Sequence, residues 1–346
     1  MIERKVWPQW VWVAGLILVP GFVWAAEDFN AGKPNLQGVW DFRSLTPLER
    51  PIEFGEQAVL TQAEATALLN KLLPPDREDK PSGVAELDVE GYNAFWLDAG
   101  EALDKERRTS LIVDPPNGRL PARLATAEAH RLAQNSQRQA PVRDILSYSV
   151  GPNYLHAHPE SLGLSERCLV GFNAGPPITP SAYNNNLRLV QTPKHVMIMT
   201  EMVHDARIIP IDGRPRLPEH IRQWSGSSVG RWDKDVLVVE TGNFTDKTPA
   251  FHLPVQGVNS VENGVLGSGL NLQVTERFSL DDSGGLIYEA TIDASDSFVE
   301  PFTMRVVMQP SREKIFEYAC HEGNYAMGGI LRGARLREQR LHSGVP

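Results

Sequence analysis

From Leu187 onward the chain alternates short apolar runs with turn residues, the pattern of strands joined by tight connections. Leu187–Thr192 and His195–Met202 flank Pro193-Lys194, which predicts a hairpin. Ala206–Ile211 ends at Asp212-Gly213. Val229–Trp232 and Val236–Thr241 flank Asp233-Lys234. Asn271–Leu280 faces Leu286–Asp293 across Asp281–Gly285, and Phe302–Gln309 faces Lys314–Cys320. Pro218–Trp224 reads as a single helical turn begun by proline. Asn35–Asp41 adds a first strand, for a total of about nine to ten. Some runs are apolar at every position, Val196-Met197-Ile198-Met199 among them, so something is expected to cover their outer face.

Before Ala182 the chain is irregular and rich in proline. Two short helices are expected there. Thr61–Leu73 opens on a Thr-x-x-Glu capping box (Thr61, Glu64) and stops at Pro74-Pro75. Thr126 to Arg138 is the second. Tyr92–Trp96 and Thr109–Asp114 read as short ordered pieces. Gly38-Val39-Trp40 resembles the first strand of lipocalin-type barrels, where Gly permits close approach and Trp plugs one end. The expected fold is mainly β: an antiparallel meander closing into a lipocalin-like barrel or a curled sheet, wrapped by the irregular N-terminal third. Residues 27–346 read as a single domain, with 27–182 wrapping, 183–332 forming the meander and 333–346 a solvated tail.

Residues 1–26 read as a signal peptide: Arg4 and Lys5, a short apolar run from Val11 to Val23, and small residues at Ala25-Ala26. That run is shorter than the ~20 residues a membrane span needs, so stable insertion after cleavage is not expected. The expected address is periplasmic or secreted. Removing Glu3, Arg4 and Lys5 moves the net charge from −9 to −10, which disfavours nucleic acid as a partner. Cys168 and Cys320 are the only cysteines, and an even pair in an oxidising compartment predicts a disulfide.

Candidate chemistry concentrates between Tyr183 and Thr248, where polar residues interrupt the apolar runs. In an extended Glu201–Arg207, Glu201, Asp205 and Arg207 share one face and His204 takes the other, with Asp205 and Arg207 close enough to pair; a bend between Met202 and Ala206 would break that face. Such a wall suits acid–base work: His204 moving a proton, Arg207 and Asn185 stabilising negative charge. In Glu317–Tyr325, His321 follows Cys320, so a tethered backbone would hold the imidazole, with Glu322 and Asn324 turned inward by Gly323. Structural roles fit the same residues: a plain ion pair at Asp205 and Arg207, and a polar strand end at His321. Tyr183, Asn185, Glu201, Trp224, Arg231 and Asn324 complete the candidate binding set, with Trp224 beside an arginine suited to a ring-shaped ligand. His156 and His158 have a metal-ligand spacing that no familiar carboxylate completes.

There is no Gly-x-Ser-x-Gly elbow, phosphate-binding glycine loop, dinucleotide fingerprint or Cys-x-x-Cys, which disfavours serine hydrolase, kinase, nicotinamide enzyme and electron carrier together. The strings YNNN, EMVHDARIIPIDGRP, GRWDKDVLVVETGNFTDKT and FEYACHEGNYAMGGIL resemble a family of exported bacterial β-rich proteins of unassigned activity. Arg216 and Lys234 depart from that family's pattern, where His and Gly stand. The resemblance implies a β-rich, secreted protein and no catalytic assignment. The leading expectation is an exported small-molecule enzyme using cofactor-free acid–base chemistry of lyase, dehydratase or isomerase type. The alternatives are a non-catalytic lipocalin-like ligand-binding protein and a metal-dependent hydrolase using His156 and His158.

Overall fold

A computed structural model describes residues 32–72, 100, 102–129, 159–161, 164–165, 167–181, 183–246 and 269–343. The signal sequence, Tyr92–Trp96, His156, His158 and most of the second expected helix lie outside them; of that helix, residues 125–129 are helical.

Ten strands form one antiparallel sheet. They are β1 Gly38–Asp41, β2 Ile112–Asp114, β3 Asn186–Gln191, β4 His195–Thr200, β5 Ala206–Pro210, β6 Ser227–Asp233, β7 Val236–Gly242, β8 Gln273–Leu280, β9 Leu286–Asp293 and β10 Phe302–Ser311. The order β5-β4-β3-β1-β10-β9-β8-β7-β6 shows two meanders, β3–β5 and β6–β10, with β1 inserted between them. β1 pairs with β3 on one side and β10 on the other, and β2 pairs with β10 off the main path. The end strands β5 and β6 come together where Gly230 sits against Ile209 and Ile211. They share no ladder, so the sheet curls without closing into the expected barrel.

Alternation explains where the core lies. Along β4, Val196 and Ile198 are buried while Met197 and Met199 are half-buried; β8 and β9 repeat this period of two. The inward side chains of both meanders form one cluster that includes Trp40, Leu237, Phe278 and Tyr288. Trp40 donates its indole N–H to the Leu36 carbonyl at 2.9 Å, fixing the ring across the start of β1. The irregular N-terminal segment adds Phe42, Leu48, Leu111 and Ile112 to the same core. Its backbone needs partners that no ladder supplies. Backbone bonds between its own loops supply many of them, such as the Leu111 N–H to the Pro47 carbonyl, and two buried arginines add to these: Arg50 donates to the Thr109 hydroxyl and the Gly55 and Pro116 carbonyls, and Arg108 binds Asp104 and the Arg305 carbonyl.

The capping box forms as expected. The Glu64 carboxylate accepts the Thr61 N–H at 2.8 Å, and the helix runs Gln62–Leu72. One further expectation fails. Lys314–Cys320 is no strand, since β1 already occupies the β10 edge facing it; a short helix, Cys320–Gly323, follows instead. Residues 333–343 of the segment read as a tail continue a helix of 19 residues, Tyr325–Ser343. Cys168 and Cys320 form the expected disulfide, with a Cα–Cα distance of 5.8 Å. That bond and the absence, among the described residues, of a helix long and apolar enough to cross a membrane are compatible with an exported protein.

Candidate functional site

Between β4 and β5 the chain is not extended through Glu201–Arg207 but bends. A tight turn, Met202–His204, reverses the chain. The His204 N–H donates to the Glu201 carbonyl at 3.1 Å, and the Thr200 N–H to the Asp205 carbonyl at 2.9 Å. Val203 and His204 both take left-handed backbone conformations, with φ of 59° and 43°. For a β-branched residue such as Val203 this is costly, on the order of 1–3 kcal/mol, and such strain collects at functional sites.

The turn overrides the alternating pattern and sends the four polar side chains to different places. Glu201 is buried, accepting hydrogen bonds from the Asn186 amide at 2.8 Å and the Phe316 N–H at 3.1 Å. His204 is exposed, its Nδ1 3.3 Å from the Tyr318 carbonyl oxygen, so the bond requires Nδ1 to carry the proton. Arg207 points into the core. It does not pair with Asp205 but makes a bidentate bridge to Glu276 of β8, at 2.7 and 2.8 Å. Glu276 also accepts the Tyr288 hydroxyl at 3.0 Å, and that hydroxyl accepts the Ile178 N–H at 2.9 Å. Burial opposes the Arg207 charge, but Glu276 more than compensates and raises its pKa. Burial pushes the Tyr288 hydroxyl well above its ordinary value.

Glu276 was not among the sequence candidates, although a signal existed. It shares the inward register of β8 with Val274 and Phe278, and a carboxylate in that register has to find a cation.

Asp205 is half-buried at the wall of a cavity of about 800 Å³ beside the seam between β5 and β6. Burial raises its pKa, opposed by the charge of Arg207 and by hydrogen bonds from the Ala206 N–H and the Ser225 hydroxyl. Arg207, Ile208, Leu217 and Trp224 line the same cavity. The disulfide loop supplies another wall: Leu169 lines the cavity, and Arg167 lies over the Trp224 ring, 5.9 Å from its centroid.

Asp205, Arg207 and Trp224 thus meet at one cavity. The other described candidates do not line it, and His156 and His158 lie outside the described residues. Asn185 is fully buried, with its amide bound to the Ser181 N–H and carbonyl, so it braces the chain before β3. Tyr183 stacks on Tyr318 and meets Phe172 edge-on. Arg231 is exposed and paired with Glu240 at 2.7 Å. Asn324 caps the C-terminal helix through the Met327 N–H and touches Cys168 Sγ. His321 and Glu322 are exposed on the short helix. Among the described residues, no group of three or more His, Cys, Asp or Glu could hold a metal ion.

No known protein family, curated protein or solved structure matches this chain.

Proposed function

We propose that the seam cavity is a small-molecule site and that the protein is an enzyme using acid–base chemistry of lyase, dehydratase or isomerase type, with Asp205 as the proton-moving group. What carries the proposal is Asp205 itself: a carboxyl set into a cavity wall, with an aromatic ring and a fixed cation beside it. Its proton affinity results from a contest. Burial favours the neutral acid, while Arg207 and the Ser225 and Ala206 donors favour the carboxylate. A group balanced in this way can take a proton and return it. Arg207 cannot turn toward a substrate, because Glu276 holds both its terminal nitrogens. Its role is electrostatic, opposing the effect of burial on Asp205. The strained Val203–His204 turn supports the reading, since it is what places Asp205 at the cavity. His204 neighbours Asp205 and remains proposed as an exchange partner with solvent.

The test uses the wild-type protein and Asp205→Asn with a panel of hydroxy and oxo acids in D₂O, following proton–deuterium exchange by NMR. The expected outcome is exchange by wild type, slowed on the order of 10²–10⁴-fold in Asp205→Asn while binding persists. Equal exchange by the two proteins would remove Asp205 from the mechanism. Binding without exchange by wild type would favour the non-catalytic ligand-binding alternative, which the apolar cavity wall of Ile208, Leu217 and Trp224 also supports.

A further inference from the structure

The charges around the cavity are unevenly balanced. Four arginines line it: Arg207, Arg214, Arg216 and Arg222. Arg207 is neutralised by Glu276 and Arg214 by Asp212, whose carboxyl is lowered to about 2 by that contact. The other two have no carboxylate partner among the described residues. Arg216 donates one Nη1 bond to the neutral Gln273 amide oxygen at 2.6 Å. Arg222 donates Nη1 to the Phe244 and Leu270 carbonyls, each at 2.9 Å. In both, Nε and Nη2 have no described partner, and these are the atoms that bind a carboxylate as a fork. A third guanidinium, Arg167, lies over Trp224 and also has no carboxylate partner among the described residues.

The same cavity wall carries exposed apolar surface. Ile208 is 69% exposed and Leu217 40%, and both line the cavity with Trp224. Side chains of this kind are ordinarily covered, and a cluster at the mouth of a cleft marks a place where a ligand completes the burial.

We propose that the cavity binds an organic monocarboxylate with an apolar or aromatic body, its head group held by Arg216 and Arg222 and its body against Ile208, Leu217 and Trp224. This rests on the reading of the cavity as a small-molecule site, and it names the ligand class. Among the described lining residues the sole carboxylate is Asp205, so the head group is held by cations while the opposite charge sits at the reacting end. A neutral analogue would leave the guanidiniums without compensation and would bind weakly.

The experiment is calorimetric titration of the mature protein with 3-phenylpropionate, octanoate, acetate and the neutral 3-phenylpropionamide. The two amphipathic carboxylates should bind, while acetate and the amide bind at least tenfold more weakly. Arg216→Gln and Arg222→Gln should each weaken the carboxylates roughly ten- to hundredfold, the value of a charged hydrogen bond. Arg214→Gln, whose charge Asp212 already balances, should leave affinity within about twofold. Leu217→Ser should weaken octanoate more than acetate. Equal binding of amide and carboxylate would overturn the proposal, as would an Arg214→Gln loss equal to that of Arg216→Gln. Arg216→Gln and Arg222→Gln both binding as wild type does would overturn it as well. Asp205→Asn separates the two proposals: with carboxylate binding intact and proton exchange unaffected by Asp205→Asn, the ligand class stands and the catalytic reading falls.

Discussion

Removing one half of the Arg207–Glu276 pair leaves the other half charged and buried. Glu276→Gln should therefore cost about 3–5 kcal/mol, read as a lower urea midpoint. Arg207→Met combined with Glu276→Leu should recover part of that loss, because an apolar pair leaves no buried charge while the Tyr288 hydroxyl loses its acceptor. An unchanged midpoint in Glu276→Gln would mean the pair is not buried as described. Asp205 behaves in the opposite sense. Its folded pKa is raised above the ordinary 3.8, so the native state binds more protons than the unfolded chain between those two values. Stability contributed by this group is present at low pH and lost as pH rises through the folded pKa. Asp205→Asn should then melt above wild type at neutral pH, with the gap closing below the ordinary aspartate range. A variant that melts lower at neutral pH would contradict the direction of the shift. Stability given up at a single carboxyl fits a group kept for chemistry rather than for packing.

At the scale of elements, the sequence showed what depends on neighbours along the chain. Hairpins turning at Pro193-Lys194, Asp233-Lys234 and Asp281–Gly285 were legible because turn residues separate alternating runs. The capping box was legible because its two residues are three apart. What depends on distant partners was not. The shared face of Glu201, Asp205 and Arg207 supposes an extended chain, with a bend between Met202 and Ala206 as the alternative; no glycine announces the turn at Val203 and His204, whose backbone is left-handed. Lys314–Cys320 read as a partner for β10, but β1, more than 260 residues earlier, had taken that edge. The candidate site was half legible for the same reason. Asp205 and Arg207 were singled out as polar residues among apolar runs and Trp224 as an aromatic suited to a ring-shaped ligand, whereas Arg216 and Arg222 lie in irregular chain, where no periodicity assigns an arginine to a site.

The whole molecule is tied by one covalent link over a separation of 152 residues. Cys168 belongs to the loop that carries Arg167 and Leu169 to the cavity, and Cys320 stands before the C-terminal helix. Cys168→Ser with Cys320→Ser should cost about 2–5 kcal/mol in stability and also weaken ligand binding, since one cavity wall loses its anchor. A melting temperature and an affinity both equal to wild type would show that the loop is held without the bond.

The unpaired seam between β5 and β6 has a thermodynamic consequence. The two meanders are stitched by hydrogen bonds on only one side, through β1, and are left free on the other. Ile208 comes from one free edge, while Leu217 and Trp224 come from the segment that leads into the other. A molecule lodged among them would act as a clasp, adding to the native state a stabilisation that grows as the logarithm of its concentration over Kd. The ligand would thus do for this sheet what a further row of strand pairing does for a closed barrel: it would join the two edges.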